Sequence, residues 1–283
     1  MIKTEYQAPY LKRIDALNDQ LWYFLFTSEE LNRKLSSFSN KAKEAYTTDL
    51  FHDNQFSQRL YVKAIDLQAH QDQNKLITFG AYLSTCYEIT TNYIKDIFDK
   101  LKTINGLTYV WSDTEPEKKL KSLYTTSGLV FTPEYLLKTL TYIRLRRNHF
   151  THLILTPNSK LTGFISANGN ALNAQWRTTG VVSSIDFTST TNVAEFQQDE
   201  AIELIKLIRI CIIAIDQFVG STLDKNGFIT SIVKKEYGHL KTRRNSLIID
   251  ERKKKIVNIA KAKFDLIVTE SEVEPFVNTI GMR

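Results

Sequence analysis

The chain has 283 residues, 42% of them hydrophobic, with a formal net charge of +6 and a pI near 9.1. That length allows one large domain or two small ones, and the apolar fraction is too high for a disordered polypeptide. Two cysteines cannot build a disulfide framework and no run reaches the ~18 apolar residues of a membrane span, so a soluble cytoplasmic protein is expected, with Cys86 and Cys211 as small buried thiols.

Residues 1–73 are expected to form a helical extension. Leu11, Ile14, Leu17, Leu21 and Leu25 recur at three- and four-residue intervals, the amphipathic signature. Thr27-Ser28-Glu29-Glu30 offers an N-cap for a second helix ending near Thr47-Thr48-Asp49. Trp22, Tyr23, Phe24 and Phe26 form an aromatic cluster, expected to pack against the rest of the bundle rather than to stack on bases.

From Leu60 to Lys102 runs the longest helical pattern, broken if anywhere at the polar stretch Gln68–Asn74. Its second half, from Leu76 through Phe79, Leu83, Cys86, Ile94 and Phe98 to Leu101, is apolar enough for the centre of a bundle. Glu88 is the lone acid in its middle. It either holds a cationic site residue in place or points at water. Residues 103–131 read as a loop with a short helix, because Asn105-Gly106 and Glu115-Pro116 are breakers.

Thr132-Pro133-Glu134 is a clear helix start, and the helix must end before Thr156-Pro157-Asn158. It carries Arg144, Arg146, Arg147, Asn148, His149, Thr151 and His152, with no acid between Glu134 and Asp186. Cations this dense repel one another, so the cluster costs stability unless an anion binds there. At about 100° per residue, Arg144, Arg147, Asn148, Thr151 and His152 share a face roughly 140° wide, while Leu136, Leu140, Ile143 and Phe150 turn toward a core. His149, Leu145 and Arg146 fall on other sides. The bland alternative is a surface helix whose arginines are solvated and whose histidines pack or cap.

Arg147-Asn148-His149-Phe150-Thr151-His152 resembles the Arg-x4-6-His motif of the HEPN superfamily, all-α proteins many of which are metal-independent ribonucleases. The resemblance implies Arg147 and His152 as catalytic residues, with Asn148, Arg144, Thr151 and Glu88 in support. It also implies a homodimer in which two motifs face one cleft, with RNA as partner. The roles suit the chemistry. RNA carries its own nucleophile, the 2′-OH, so cleavage needs an acid or base titrating near neutrality and a cation on the phosphate. Arg144 with His149 and Arg146 with His152 fit the same spacing, so the frame stays open.

In residues 158–197, Gly163, Asn168-Gly169-Asn170 and Gly180 punctuate short runs, which predicts one or two β-hairpins or a long ordered loop. Trp176 and Arg177 are its stacking candidates, with core packing the expected role of Trp176. Asp199 and Glu200 then open a helix that is apolar almost all round and must be covered on several sides.

Residues 221–283 hold 13 Lys and Arg against 8 Asp and Glu, which accounts for nearly all of the net charge. Lys234-Lys235, Lys241-Thr242-Arg243-Arg244 and Arg252-Lys253-Lys254-Lys255 form a solvated helical face or a phosphate-tracking surface. A further helix is expected to start near Asp250.

No cofactor or metal site is expected. There is no Gly-rich phosphate loop or Gly-x-Ser-x-Gly elbow, and His149 with His152 would supply only two ligands. The expectation is an all-α bundle: a HEPN-like core at 74–220 with a small irregular or β-hairpin insertion at about 158–197, and helical additions at 1–73 and 221–283. Its expected activity is RNA cleavage by 2′-OH attack, in a toxin or anti-phage effector restrained by a regulatory or antitoxin protein. The alternative is a catalytically silent RNA-binding or scaffolding module.

Overall fold

The computed structural model describes residues 3–106, 115–238 and 246–279. Among them are eleven α-helices and no strand or sheet, so the all-α expectation holds. None of these helices is long and apolar enough to cross a membrane. The chain divides into two compact units, both discontinuous in sequence. One comprises residues 1–12, 88–141 and 208–283; the other comprises 13–87 and 142–207.

The second unit begins with most of α1 (Gln7–Ser36). Ile14, Leu21 and Leu35 are buried along it, and Phe24 packs edge-on against Phe79, ring centroids 6.2 Å apart. The expected helix start at Thr27-Ser28 does not occur. Ser28 is buried, its carbonyl accepts a 2.6 Å hydrogen bond from Gln71 Nε2, and the Thr27 hydroxyl donates back to the Tyr23 and Phe24 carbonyls. An apolar stripe that keeps its phase from Ile14 to Leu35 outweighs a local capping preference. The same contact buries Gln71, so α4 (Leu67–Ile104) runs unbroken through the polar Gln68–Asn74 stretch. Expected packing of the aromatic cluster holds for Phe24 alone. Trp22, Tyr23 and Phe26 are exposed.

Two four-residue helices, α2 (Asn40–Lys43) and α3 (Thr47–Leu50), link α1 to α4. They close a satellite core of Leu35, Ala64 and Leu67, flanked by Leu31, Phe38, Leu50, Phe51 and Val62.

The expected hairpin region is half helix. Residues Ser159–Thr178 form α7, N-capped by Asn158, whose Oδ1 accepts from the Leu161 N–H. Leu161, Ile165, Gly169, Leu172 and Trp176 are buried at three- and four-residue spacing, and that stripe overrides the Asn-Gly signals. Trp176 is core, as expected. Gly169 is needed where it stands: a Cβ there would lie 2.7 Å from the Phe187 carbonyl oxygen, so the segment after α7 rests on the helix backbone. That segment, up to the start of α8 (Gln198–Thr222), has no regular structure.

In the other unit, the first half of α6 (Glu134–Thr151) starts where Thr132-Pro133-Glu134 predicts, and the short helix expected within 103–131 is α5 (Pro116–Thr126), which Pro116 opens rather than breaks. α9 (Lys225–Tyr237), α10 (Ser246–Phe264) and α11 (Glu270–Asn278) complete the unit, with Phe228 edge-on to Phe264 at 5.0 Å. α10 begins a turn earlier than expected. The N-terminal segment is tied down by Asp216, which is fully buried on α8. Its carboxylate accepts from the Thr4 N–H at 2.9 Å, the Thr4 hydroxyl at 2.5 Å and the Tyr93 hydroxyl at 3.0 Å. Burial nonetheless pushes the carboxyl above its ordinary 3.8, with the Thr4 and Tyr93 donors working against it.

Two predictions follow from these contacts. A Cβ on Gly80 of α4 would overlap the Phe150 ring of α6, so Gly80→Ala should cost about 1–2 kcal/mol in chemical denaturation. In a Phe150→Ala background the conflict is gone, and the same substitution should become neutral or mildly stabilising through helix propensity. For Asp216, the folded state holds the proton more tightly than the unfolded chain. Its contribution to stability is therefore complete below about pH 4 and is lost as pH rises through the folded pKa. Asp216→Asn should flatten that decline, as read from urea midpoints across the range.

Candidate functional site

The motif helix α6 spans both units, and residues 142–151 belong to the unit of α7 and the first half of α8. Leu136, Leu140 and Ile143 are buried and Phe150 is half-buried, as the helical wheel predicts. The wheel also predicts the polar face. Arg144, Arg147 and Asn148 are half-buried, and Thr151 and His152 are exposed. It does not predict a second buried side, made by Leu145, Arg146 and His149.

Arg146 is 3% exposed and fully engaged. Its Nε donates to the Val193 carbonyl, one Nη to the Tyr142 hydroxyl and to Glu200 Oε1 at 2.8 Å, and the other Nη to the Glu195 carbonyl. The guanidinium also lies 4.9 Å from the centroid of the Phe196 ring. Burial opposes its charge, yet Tyr142 and Glu200 together hold its pKa above the ordinary value. The anion that the clustered cations call for is thus, for Arg146, supplied by the chain itself.

His149 is 1% exposed, and both ring nitrogens are used. Nδ1 lies 2.8 Å from the Leu145 carbonyl oxygen, and Nε2 accepts from the Asn158 N–H at 3.2 Å. That pair of partners fixes the neutral tautomer protonated at Nδ1. The ring ties the turn after α6 to the start of α7 and has no nitrogen left to move a proton.

Helix α6 closes with a Schellman arrangement. Ile154 N–H donates to the His149 carbonyl and Leu153 N–H to the Phe150 carbonyl, with Leu153 in the left-handed region at φ 52°. A leucine there is strained by about 1 kcal/mol relative to the usual glycine. His152 sits immediately before it, and its backbone N–H donates to the Asn148 carbonyl. Arg147 donates from Nη1 to Asn148 Oδ1 at 3.3 Å, and the Thr151 hydroxyl donates to the carbonyls of Arg147 and Asn148. Thr151 is therefore turned to its own helix backbone.

These contacts sort the three possible frames. Arg144 with His149 loses its imidazole to structure, and Arg146 with His152 loses its guanidinium. Arg147 and Asn148, half-buried, share one face with the exposed His152, and Arg144 lies one turn before Arg147 on that face. Glu88 is exposed on α4, in the unit that does not hold Arg147 and His152. No group of three or more His, Cys, Asp or Glu among the described residues could hold a metal ion.

Sequence reading missed two acids. Sequence alone accounts for Glu200 only through the helix dipole. Glu203, one turn on and 9% exposed, accepts from the N–H groups of Ser183, Ser184 and Ile185 and from the Ser183 hydroxyl. Burial raises its pKa, but these donors outweigh it and hold the carboxyl below the usual range. The available signal was an acid set between Ile202 and Leu204 in the most apolar of the described helices.

The C-terminal basic blocks are partly answered within the chain. Lys235 pairs with Glu5, Lys253 with Asp250 at 2.8 Å, and Lys255 with Glu236 at 3.2 Å, while Arg252 lies over the Tyr237 ring. Lys234, Lys254, Lys261 and Lys263 are exposed. The block Lys241-Thr242-Arg243-Arg244 lies outside the described residues.

Compared with protein-family models, with curated proteins and with solved structures, the chain matches none.

A buried cation stripped of its carboxylate, or a carboxylate stripped of its cation, is costly. Arg146→Ala should lower unfolding stability by about 3 kcal/mol, and adding Glu200→Ala should cost less than the sum of the two single changes. Denaturant titration of the four-protein cycle measures both.

Proposed function

We propose that the protein is an endoribonuclease of HEPN type, cleaving RNA by attack of the 2′-OH on the adjacent phosphate. The observation that carries this reading is the sorting of the motif: Arg146 and His149 are fully buried and tied to the backbone, while Arg147 and Asn148, half-buried and in mutual contact, share one face with the exposed His152. A site for a polyanion needs its cation at the surface, and a proton-transfer group needs a free ring nitrogen.

In this reading Arg147 binds the scissile phosphate and stabilises the charge that builds on its oxygens. Asn148 holds the guanidinium through the 3.3 Å contact, and Arg144 adds positive charge beside it. His152 takes the proton from the 2′-OH or gives one to the 5′ leaving oxygen, leaving a 2′,3′-cyclic phosphate and a 5′-hydroxyl. Because the nucleophile is part of the substrate, the reaction needs no metal-bound water, and in this reading Arg147 and His152 supply the charge and proton transfer without a metal. Both proton transfers need a group, and each chain offers one exposed motif histidine. A homodimer with two motifs facing one cleft supplies the pair. The exposed lysines of the C-terminal region would attract RNA without reading its sequence. A toxin or anti-phage role, held in check by a regulatory protein, is part of the same proposal. The competing reading, a silent RNA-binding or scaffolding module, draws on the exposed position of His152 at the helix end, where a cationic surface would serve binding as well as chemistry.

The decisive assay is cleavage of single-stranded RNA by purified protein in EDTA. Arg147→Ala and His152→Ala should each reduce the rate by at least ~100-fold with unchanged melting temperature and oligomeric state. Full activity in both variants rejects the site. Activity that vanishes in EDTA rejects the mechanism. RNA binding that depends on Arg147 without any cleavage favours the silent module.

A further inference from the structure

Helix α1 presents an unusual outer face. Trp22, Tyr23 and Phe26 are 51%, 71% and 64% exposed. With Asp19, Glu29 and Glu30, all exposed, they fall within a sector of roughly 120° on the helix. These aromatics are not misplaced core. The opposite side of the same helix is already satisfied by buried Ile14, Leu21 and Leu35, by the Phe24–Phe79 contact and by the Ser28–Gln71 hydrogen bond. Exposing three large rings within five residues costs solvation and invites aggregation, which makes a functional contact the natural explanation.

Charge selects the occupant. From Ile14 to Asn32 the chain has four acids and neither lysine nor arginine, although the whole protein carries 37 Lys and Arg and a net charge of +6; the next residue, Arg33, lies on the same face and pairs with Glu30, while Asp19 and Glu29 stand exposed beside the rings. A locally acidic face on a basic protein repels nucleic acid and anionic lipid. A second copy docked antiparallel on the same face would set Asp19 against Glu30. Aromatic rings flanked by carboxylates suit a guanidinium or ammonium group, which can lie over a ring while pairing with an acid. Glu30 already takes a guanidinium of the same helix, in its 2.6 Å contact with Arg33, so a docking cation meets Asp19 and Glu29 first and competes with Arg33 for Glu30.

We propose that this face of α1 docks an arginine- or lysine-rich segment of a partner protein, with Trp22 and Phe26 as ring platforms and Asp19, Glu29 and Glu30 as the acidic rim. The proposal is independent of the ribonuclease reading, because it uses none of the α6 residues.

The test is binding of a fluorescently labelled arginine-rich peptide to the full chain, followed by anisotropy at low and at physiological salt. Trp22→Ala with Phe26→Ala, and separately Glu29→Lys with Glu30→Lys, should each weaken binding at least tenfold without lowering the melting temperature. The equally charged change Glu270→Lys with Glu274→Lys on α11 should leave it unaltered. Equal loss in the α11 variant overturns the proposal, since the peptide then senses net charge alone. Equal binding of a neutral leucine-rich peptide overturns it in favour of a generic apolar surface. Self-association that requires Trp22 and Phe26 overturns it in favour of a second copy as occupant.

Discussion

One buried cation organises the half of the molecule that carries the motif. The Arg146 guanidinium reaches from α6 to Glu200 at the start of α8 and to the Val193 and Glu195 carbonyls between them. It thereby fixes a segment that has no helix or strand of its own. Peptide groups in such a segment need partners, and here side chains provide them. Glu203 takes the N–H groups of Ser183, Ser184 and Ile185, and Asn173 takes that of Phe187. What might have been a loose loop is ordered by a cation at one end and a carboxylate at the other.

The motif helix divides its polar residues by the side they occupy. Arg146 and His149 face inward and hold the backbone on either side of the helix end. Arg147, Asn148 and His152 face outward on a turn whose shape is set by those two anchors and by the left-handed Leu153. Position on the helix, not residue type, decides which arginine is structural. The strained leucine, 79% exposed, lies directly beside the exposed imidazole.

Much of this was readable in the chain and some was not, for physical reasons. The polar face of α6, its start at Glu134 and the buried stripe of Leu136, Leu140 and Ile143 all follow from periodicity. The second buried side could not, because its partners are remote: Glu200 lies 54 residues from Arg146. Across residues 158–197, Gly163 and Asn168-Gly169-Asn170 signal turns locally, and the expectation of hairpins or a loop fails over Ser159–Thr178. The stripe Leu161, Ile165, Leu172 and Trp176 was present in the same letters and carries more free energy once buried. Ser28 shows the same conflict on α1, where burial against Gln71 overrules a capping sequence. Trp22, Tyr23 and Phe26 went the other way, since composition favours burial and only coordinates reveal that the inner side of α1 is already full.

The discontinuity of the two units bears on how the chain is made. On a ribosome, residues 13–87 and 142–207 are complete while residues 208–283 are still to come, so the inserted unit can close first. Lys3 and Thr4 wait long for their partners: Thr4 is held by Asp216, and the Lys3 N–H by the Phe264 carbonyl, both made more than two hundred residues later. Until those two residues emerge, Lys3 and Thr4 lack these partners and the segment can be held through Glu5 with Lys100 and Tyr10 with Asp96; it is in that interval that a chaperone or protease would find it.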